Sequence, residues 1–231
     1  MPRGSRYAPG GLVYHVLNRA SHGIRLFEAA GDYEAFEKVL REAYERLLIR
    51  ILAYCAMPTH WHFALWPRAD GDLSRFMRWL TSTHVRRWHM HRGTVGTGHL
   101  YQGRFKSFPI QNDFHMLTVC RYIEQNPLRG GLVDRAEAWR WSSLWHRRHA
   151  GEKRIPLLPE WPVARPPDWL ELVNAPVSDR DGDAVRRSIL RGSPFGNEIW
   201  VEGIAELLGI ESTLRPRGRP KKGDGGHFRQ L

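Results

Sequence analysis

Cysteine is nearly absent from this chain. Cys55 and Cys120 are the two in 231 residues, far apart and each in apolar surroundings. Without a CxxC pair or a closely spaced set, the sequence encodes no disulfide framework. Both thiols are read as small core residues in a reducing compartment. There is no secretory apolar segment near the N-terminus and no run of the roughly twenty apolar residues that a membrane span requires, so a soluble, cytoplasmic protein with no membrane partner is expected. No HExxH occurs, and no third His or Cys stands at zinc spacing beside a general-base Glu. Acidic surplus is also missing: the net charge is +11 at pH 7. Such a balance favours a polyanionic partner, nucleic acid ahead of an acidic membrane surface. Lysine is scarce, five against thirty arginines. Genome composition accounts for much of that ratio but not for the net charge.

The chain does hold enough apolar residues, 42% hydrophobic, for one substantial domain with an appendage. Residues 12–19 read as a strand from their β-branched and aromatic content. Residues 31–48 carry Phe36, Val39, Leu40, Tyr44 and Leu47 at helical spacing. Ile49 to Met57 is a nearly continuous apolar strand, covered on both faces or central in its sheet. Pro58-Thr59 turns the chain into a second strand, His60 to Trp66. Asp72 can cap a helix to about Arg92, with Leu73, Phe76, Leu80 and Trp88 inward and Arg75, Arg78, Arg86, Arg87, His89 and Arg92 outward. Gln102 to Ile110 reads as a strand, with Arg104 and Lys106 on one face. Asn112 or Asp113 caps a helix that ends before Pro127. Hairpin-linked strands with helices packed on a face define an α+β fold with a mainly antiparallel sheet. Trp139, Trp141 and Trp145 are read as packing groups. Residues 151–179 hold six of the 15 prolines and read as an extended linker. A small helical unit over 180–214 and a basic tail over 215–231 complete the chain.

His60-Trp61-His62 is the most informative motif. A strand sends both imidazoles to one face and Trp61 to the other, so two ring nitrogens could close around one divalent cation. Two half-buried hairpin histidines are the plain alternative. The second copy of the pattern, His89-Met90-His91, lies in a helix, where positions two apart diverge, and reads as a solvated basic end. The other informative stretch is Cys120 to Pro127. In a helix Tyr122 and Asn126 share a face, placing a phenol beside an amide oxygen. If this helix crosses the histidine strand, Asn126 can be a third ligand and Tyr122 a nucleophile above the metal; a helix-end Tyr packed on a core and an Asn that ends the helix are the alternative. A phenol with a pKa near 10 attacks a phosphodiester only with electrostatic help. Two imidazoles plus an oxygen leave positions open on Mg²⁺ or Mn²⁺ for phosphate oxygens.

With these residues in place, MPTHWHFALWP, HLYQGRFKSFPI, RYIEQNPLRGGLV and WRWSS, in that order over roughly residues 7–150, resemble the REP-associated tyrosine transposases of the single-tyrosine HUH nuclease superfamily. The resemblance implies a ferredoxin-like antiparallel sheet with helices packed on it, in a nuclease domain over residues 1–150. It implies that His60 and His62 are metal ligands with Asn126, that Tyr122 is the nucleophile, and that single-stranded and hairpin DNA is nicked through a 5′-phosphotyrosine bond with a free 3′-OH. Tyr101, beside Gln102-Gly103-Arg104, is the rival nucleophile. Monomer and homodimer both remain open.

DNA contacts are read more loosely from the basic residues Arg104, Lys106, Arg86 and Arg87. Contacts of this kind position a phosphate backbone rather than read it, and a solvated basic surface explains them equally. In the tail, Pro216 to Lys222 resembles an AT-hook core, with Arg217, Arg219 and Lys221 as contacts in a narrow minor groove. The alternative to a metal-dependent DNA endonuclease and strand transferase is a non-catalytic DNA-binding regulator on the same scaffold. A metal-dependent hydrolase of a small substrate is a third reading, which the positive charge disfavours.

Overall fold

The computed structural model describes residues 7–149, 158–176 and 178–215. Its central element is a four-stranded sheet built from β1 (Val13–Arg19), β2 (Arg50–Met57), β3 (His60–Trp66) and β4 (Lys106–Ile110). The spatial order is β2-β3-β1-β4, and every neighbouring pair is antiparallel. Two helices, α1 (Ala30–Leu47) and α2 (Asp72–Arg92), connect β1 to β2 and β3 to β4. This βαββαβ order is the ferredoxin-like arrangement expected from the sequence.

Strand alternation divides the core in two. Tyr14, Val16, Tyr54, Trp61, Phe63 and Leu65 face α1 and α2, joining Phe36, Val39, Leu40, Phe76 and Leu80 in one buried cluster. Val13, Ala53, Cys55, Ala64, Phe108 and Ile110 face the other way, into a second cluster. That second face is covered by α3 (Phe114–Glu124), through Met116, Val119, Cys120 and Ile123, the i, i+3, i+4, i+7 spacing of a buried helical stripe. Asp113 caps α3, its carboxylate accepting from the His115 N–H at 2.8 Å. The chain stays helical at Gln125 and continues as α4 (Asn126–Arg129), with Pro127 in its first turn. Proline is tolerated there because its missing N–H would be unpaired anyway. The helix thus ends before Pro127 as expected, but resumes at once.

Both edges of the sheet are covered. Beside β2, Ala56 N–H donates to Trp141 O and Tyr54 N–H to Ser143 Oγ, each at 2.9 Å, at the start of α5 (Ser143–His149). The continuously apolar β2 is therefore an edge strand that behaves as an interior one. Trp141 is buried and stacked on Tyr33 at 4.7 Å, in the packing role expected of it. Beside β4, Phe195 N–H donates to Pro109 O and Gln111 N–H to Phe195 O.

Two expectations need correction. The strand read from Gln102 begins only at Lys106. Its ladder with β1 breaks there, Asn18 Nδ2 donates to Gly103 O, and pairing returns as an isolated bridge between Ala20 and Tyr101. The proline-rich stretch is also more than an extended linker. It contains α6 (Trp169–Asn174), which buries Trp169 and Val173 in the second cluster. Trp169 Nε1–H donates to the buried Glu124 at 2.8 Å. A helix of six residues is too short to show a period in sequence, and Pro166-Pro167 lead into it rather than away from structure. Beyond it, α7 (Asp179–Arg191) and α8 (Glu198–Leu208) form the expected helical unit.

Candidate functional site

Trp61 fixes the orientation of the histidine pair. Its indole is fully buried against Phe36 and Phe63, and its N–H donates to Tyr101 Oη at 2.9 Å. A one-residue slip of β3 would turn this indole to the opposite face and put a histidine ring in its place, so the register is strongly specified. His60 and His62 accordingly share the opposite face, their ring centroids 5.1 Å apart. The register places His60 opposite Arg19, and His62 opposite Leu17, which in turn faces Lys106.

From the covering helix, the Tyr122 ring meets His62 edge-on, with centroids 6.0 Å apart. Tyr122 is 8% exposed, and its hydroxyl has no hydrogen-bond partner among the described residues. The Arg129 guanidinium lies over the same ring, 4.6 Å from its centroid. Asn126 folds back on the last turn of α3, its Nδ2 donating to Tyr122 O at 2.9 Å and Ile123 O at 3.4 Å. Those bonds commit the amide nitrogen and leave Oδ1 as the ligating atom the side chain can offer.

Two further residues belong to this face and were not singled out from the sequence. His15, on β1, is fully buried and places its Nε2 2.9 Å from His62 Nδ1. Arg19 is exposed beside His60. Burial holds His15 down to about 3 and, with Arg19 nearby, His60 down to about 4. His62 is also held well below the usual range, by burial first and then by His15, His60, Arg129 and Arg19. All three rings are therefore neutral at physiological pH, the form in which imidazole binds a cation.

Among the described residues no three His, Cys, Asp or Glu side chains converge in a metal-holding group. What the face does offer is two imidazoles side by side, fewer protein donors than a closed metal site has.

The other expected site residues scatter. Arg104 is exposed in the loop before β4, so strand alternation does not align it with Lys106, the first residue of the strand. Arg86 and Arg87 ride on α2, which packs against the sheet face away from the histidines. Arg87 makes a two-pronged ion pair with Glu42 at 2.9 and 2.8 Å. Tyr101 lies on that same far side, buried with its hydroxyl 2.6 Å from His84 Nδ1 and bonded by the Trp61 N–H, across the sheet from the histidine pair. His89 lies at the end of α2 with Nδ1 2.8 Å from Thr94 Oγ1 and Nε2 buried, so of the pair read as a solvated basic end His89 is partly enclosed. Arg217, Arg219 and Lys221 lie outside the described residues.

The fold and this face set the chain among DNA-processing proteins of the transposase class. Residues 10–126, just over half of the 231, match the family described as Transposase IS200 like, and the chain belongs to that family. A solved REP-associated tyrosine transposase, determined bound to a REP hairpin, shares the fold. It is 22% identical, with a TM-score of 0.52 over 69% of this chain and 92% of that one. A putative transposase from Deinococcus radiodurans R1 is 18% identical, with a TM-score of 0.38 over 54% of this chain and 96% of that one. No curated protein matches the sequence.

Proposed function

We propose that the chain is a divalent-cation-dependent endonuclease and strand transferase for single-stranded DNA, acting at hairpin-forming repeats through a 5′-phosphotyrosine intermediate. The observation that carries the proposal is the meeting of two neutral imidazoles from one strand with an unpartnered phenol from another element, 6.0 Å from His62. The ring is packed into the covering helix face, yet its hydroxyl bonds nothing among the described residues and is not one of their buried unpartnered atoms, so it is open to a substrate.

His60 Nε2, His62 Nε2 and Asn126 Oδ1 would hold Mg²⁺ or Mn²⁺. When bound, such an ion supplies charge stabilisation at the phosphate and at the departing oxygen. Tyr122 Oη attacks the scissile phosphorus in line. The new bond joins tyrosine oxygen to the 5′-phosphate, the P–O3′ bond breaks, and the proton lost by the phenol is balanced by the one gained at the free 3′-OH. A later 3′-OH reverses the exchange and transfers the strand. Arg129 and Arg19 flank the phenol and the histidines, where their guanidinium forks can take phosphate oxygens. Arg129 also lines, with Gln125 and Arg186, an open cleft of about 360 Å³.

Covalent trapping tests the proposal. Hairpin oligonucleotides with single-stranded flanks, incubated with Mn²⁺, should yield a protein–DNA adduct on a denaturing gel. Tyr122→Phe should bind the same DNA and form none. Binding without cleavage by the wild-type protein, on repeats taken from near its own gene, would instead favour the DNA-binding regulator.

A further inference from the structure

His15 is a residue that nothing in the proposed reaction uses. It sits on β1 between Val13 and Leu17, where a fully buried polar ring would ordinarily give way to an aliphatic side chain. Its ring packs on Phe108 at 4.9 Å and meets Tyr122 edge-on at 6.5 Å. Its Nε2 lies 2.9 Å from His62 Nδ1, while its own Nδ1 is buried without a partner. A buried imidazole that leaves one nitrogen unsatisfied is costly. Among the described residues the one polar contact its side chain makes is to His62.

His60 shows the same arrangement. Its Nδ1 lies 3.0 Å from Thr59 Oγ1. Both rings thus have Nδ1 engaged from behind, and neither Nε2 has a protein partner among the described residues. A metal-ligating histidine needs its second nitrogen held in this way, because that bond fixes both the ring plane and the tautomer.

We infer that His15 is a positioning residue: it accepts the Nδ1 proton of His62 and so keeps the Nε2 lone pair of His62 turned to the cation. This rests on the proposed metal site. Two neutral imidazoles can share one hydrogen bond in either sense. In one, His62 donates from Nδ1 and its Nε2 is a free ligand. In the other, His15 donates, and His62 must carry its proton on Nε2, where it blocks a cation. Packing against Phe108 and Tyr122 fixes the His15 ring in the place that makes the first sense available, and a bound cation selects it.

The test is a Mn²⁺ titration of the metal-free full chain, followed by the electron paramagnetic resonance signal of free Mn²⁺. His15→Phe keeps the packing and removes both nitrogens; it should weaken Mn²⁺ binding by about 10–100-fold, the usual cost of losing such a support. His15→Gln restores an acceptor at the Nε2 position and should come back to within about threefold of wild type. His62→Ala is the reference. If it binds Mn²⁺ as the wild type does, the metal site itself is wrong, and the role of His15 falls with it. If His62→Ala loses the ion while folded His15→Phe retains full affinity, the site stands and the positioning role alone is overturned. Long-range ¹H–¹⁵N spectra of Mg²⁺-loaded wild type need no variant. They should show His62 protonated on Nδ1, and a proton on Nε2 instead would overturn the inference.

Discussion

Removing one hydroxyl from each of two tyrosines should have opposite consequences. Tyr101 Oη accepts from the fully buried Trp61 N–H at 2.9 Å, and its own proton goes to His84 Nδ1 at 2.6 Å. Tyr101→Phe leaves two buried polar atoms unpaired, each at about 1–3 kcal/mol. The expected loss is therefore about 2–6 kcal/mol, or roughly 4–24 °C in Tm for a chain of this size. Yet Tyr101 lies across the sheet from the histidine pair, so below its lowered transition the variant should still form the DNA adduct. Among the described residues Tyr122 Oη has no partner to lose, so Tyr122→Phe should change stability by less than about 0.5 kcal/mol and abolish the adduct. Urea unfolding followed by tryptophan fluorescence, paired with the denaturing-gel assay, reads both effects. Adduct loss in folded Tyr101→Phe, or a stability loss in Tyr122→Phe as large as that of Tyr101→Phe, would refute the assignment of the two faces.

Chelation with EDTA should abolish the adduct and Mn²⁺ should restore it, in wild type but not in His60→Ala; adduct formation under EDTA would remove the cation from the mechanism. Acid should weaken the fold through His84, which burial holds down to about 3. As pH falls from about 6.5, the unfolded chain takes up a proton that the folded chain refuses, so stability declines progressively until about pH 3, by a few kcal/mol at most. His84→Gln should flatten that decline in unfolding curves measured between pH 7 and 4; an unchanged slope would exclude His84 as a contributor. Arg129→Ala should weaken binding of single-stranded DNA and lower the dependence of log Kd on log salt by about 0.7, one phosphate contact on a single strand. An unchanged slope would place Arg129 off the DNA path.

The hairpin and its histidines were legible because a period of two, a buried tryptophan and a Pro-Thr turn all agree on one register. The tyrosine helix was legible for a similar reason: Met116, Val119, Cys120 and Ile123 fix the face it buries, and so fix where Tyr122 and Asn126 stand. His15 was not, because a histidine between Val13 and Leu17 looks like any half-buried strand residue until β1 is laid beside β3. The cue was present in a histidine on a strand otherwise fit for a sheet interior. Arg19 and Arg129 escaped for a related reason. Their places beside His60 and the Tyr122 ring come from pairing register and from where α4 lies after α3, neither of which a single segment encodes. Arg87 has a partner that was equally hidden: nothing near it in sequence announces Glu42, 45 residues away on another helix.

The coverings over β2 and β4 bear on how this chain can be cut. The stretch common to the family ends at residue 126, but the segments that close the sheet on either side come later, from Trp141, Ser143 and Phe195. A fragment trimmed to the family boundary would carry two open rows of amide and carbonyl groups, each a template for another molecule. It should accumulate as aggregates rather than as a minimal domain, because the residues that hem both margins of the sheet would have been cut away.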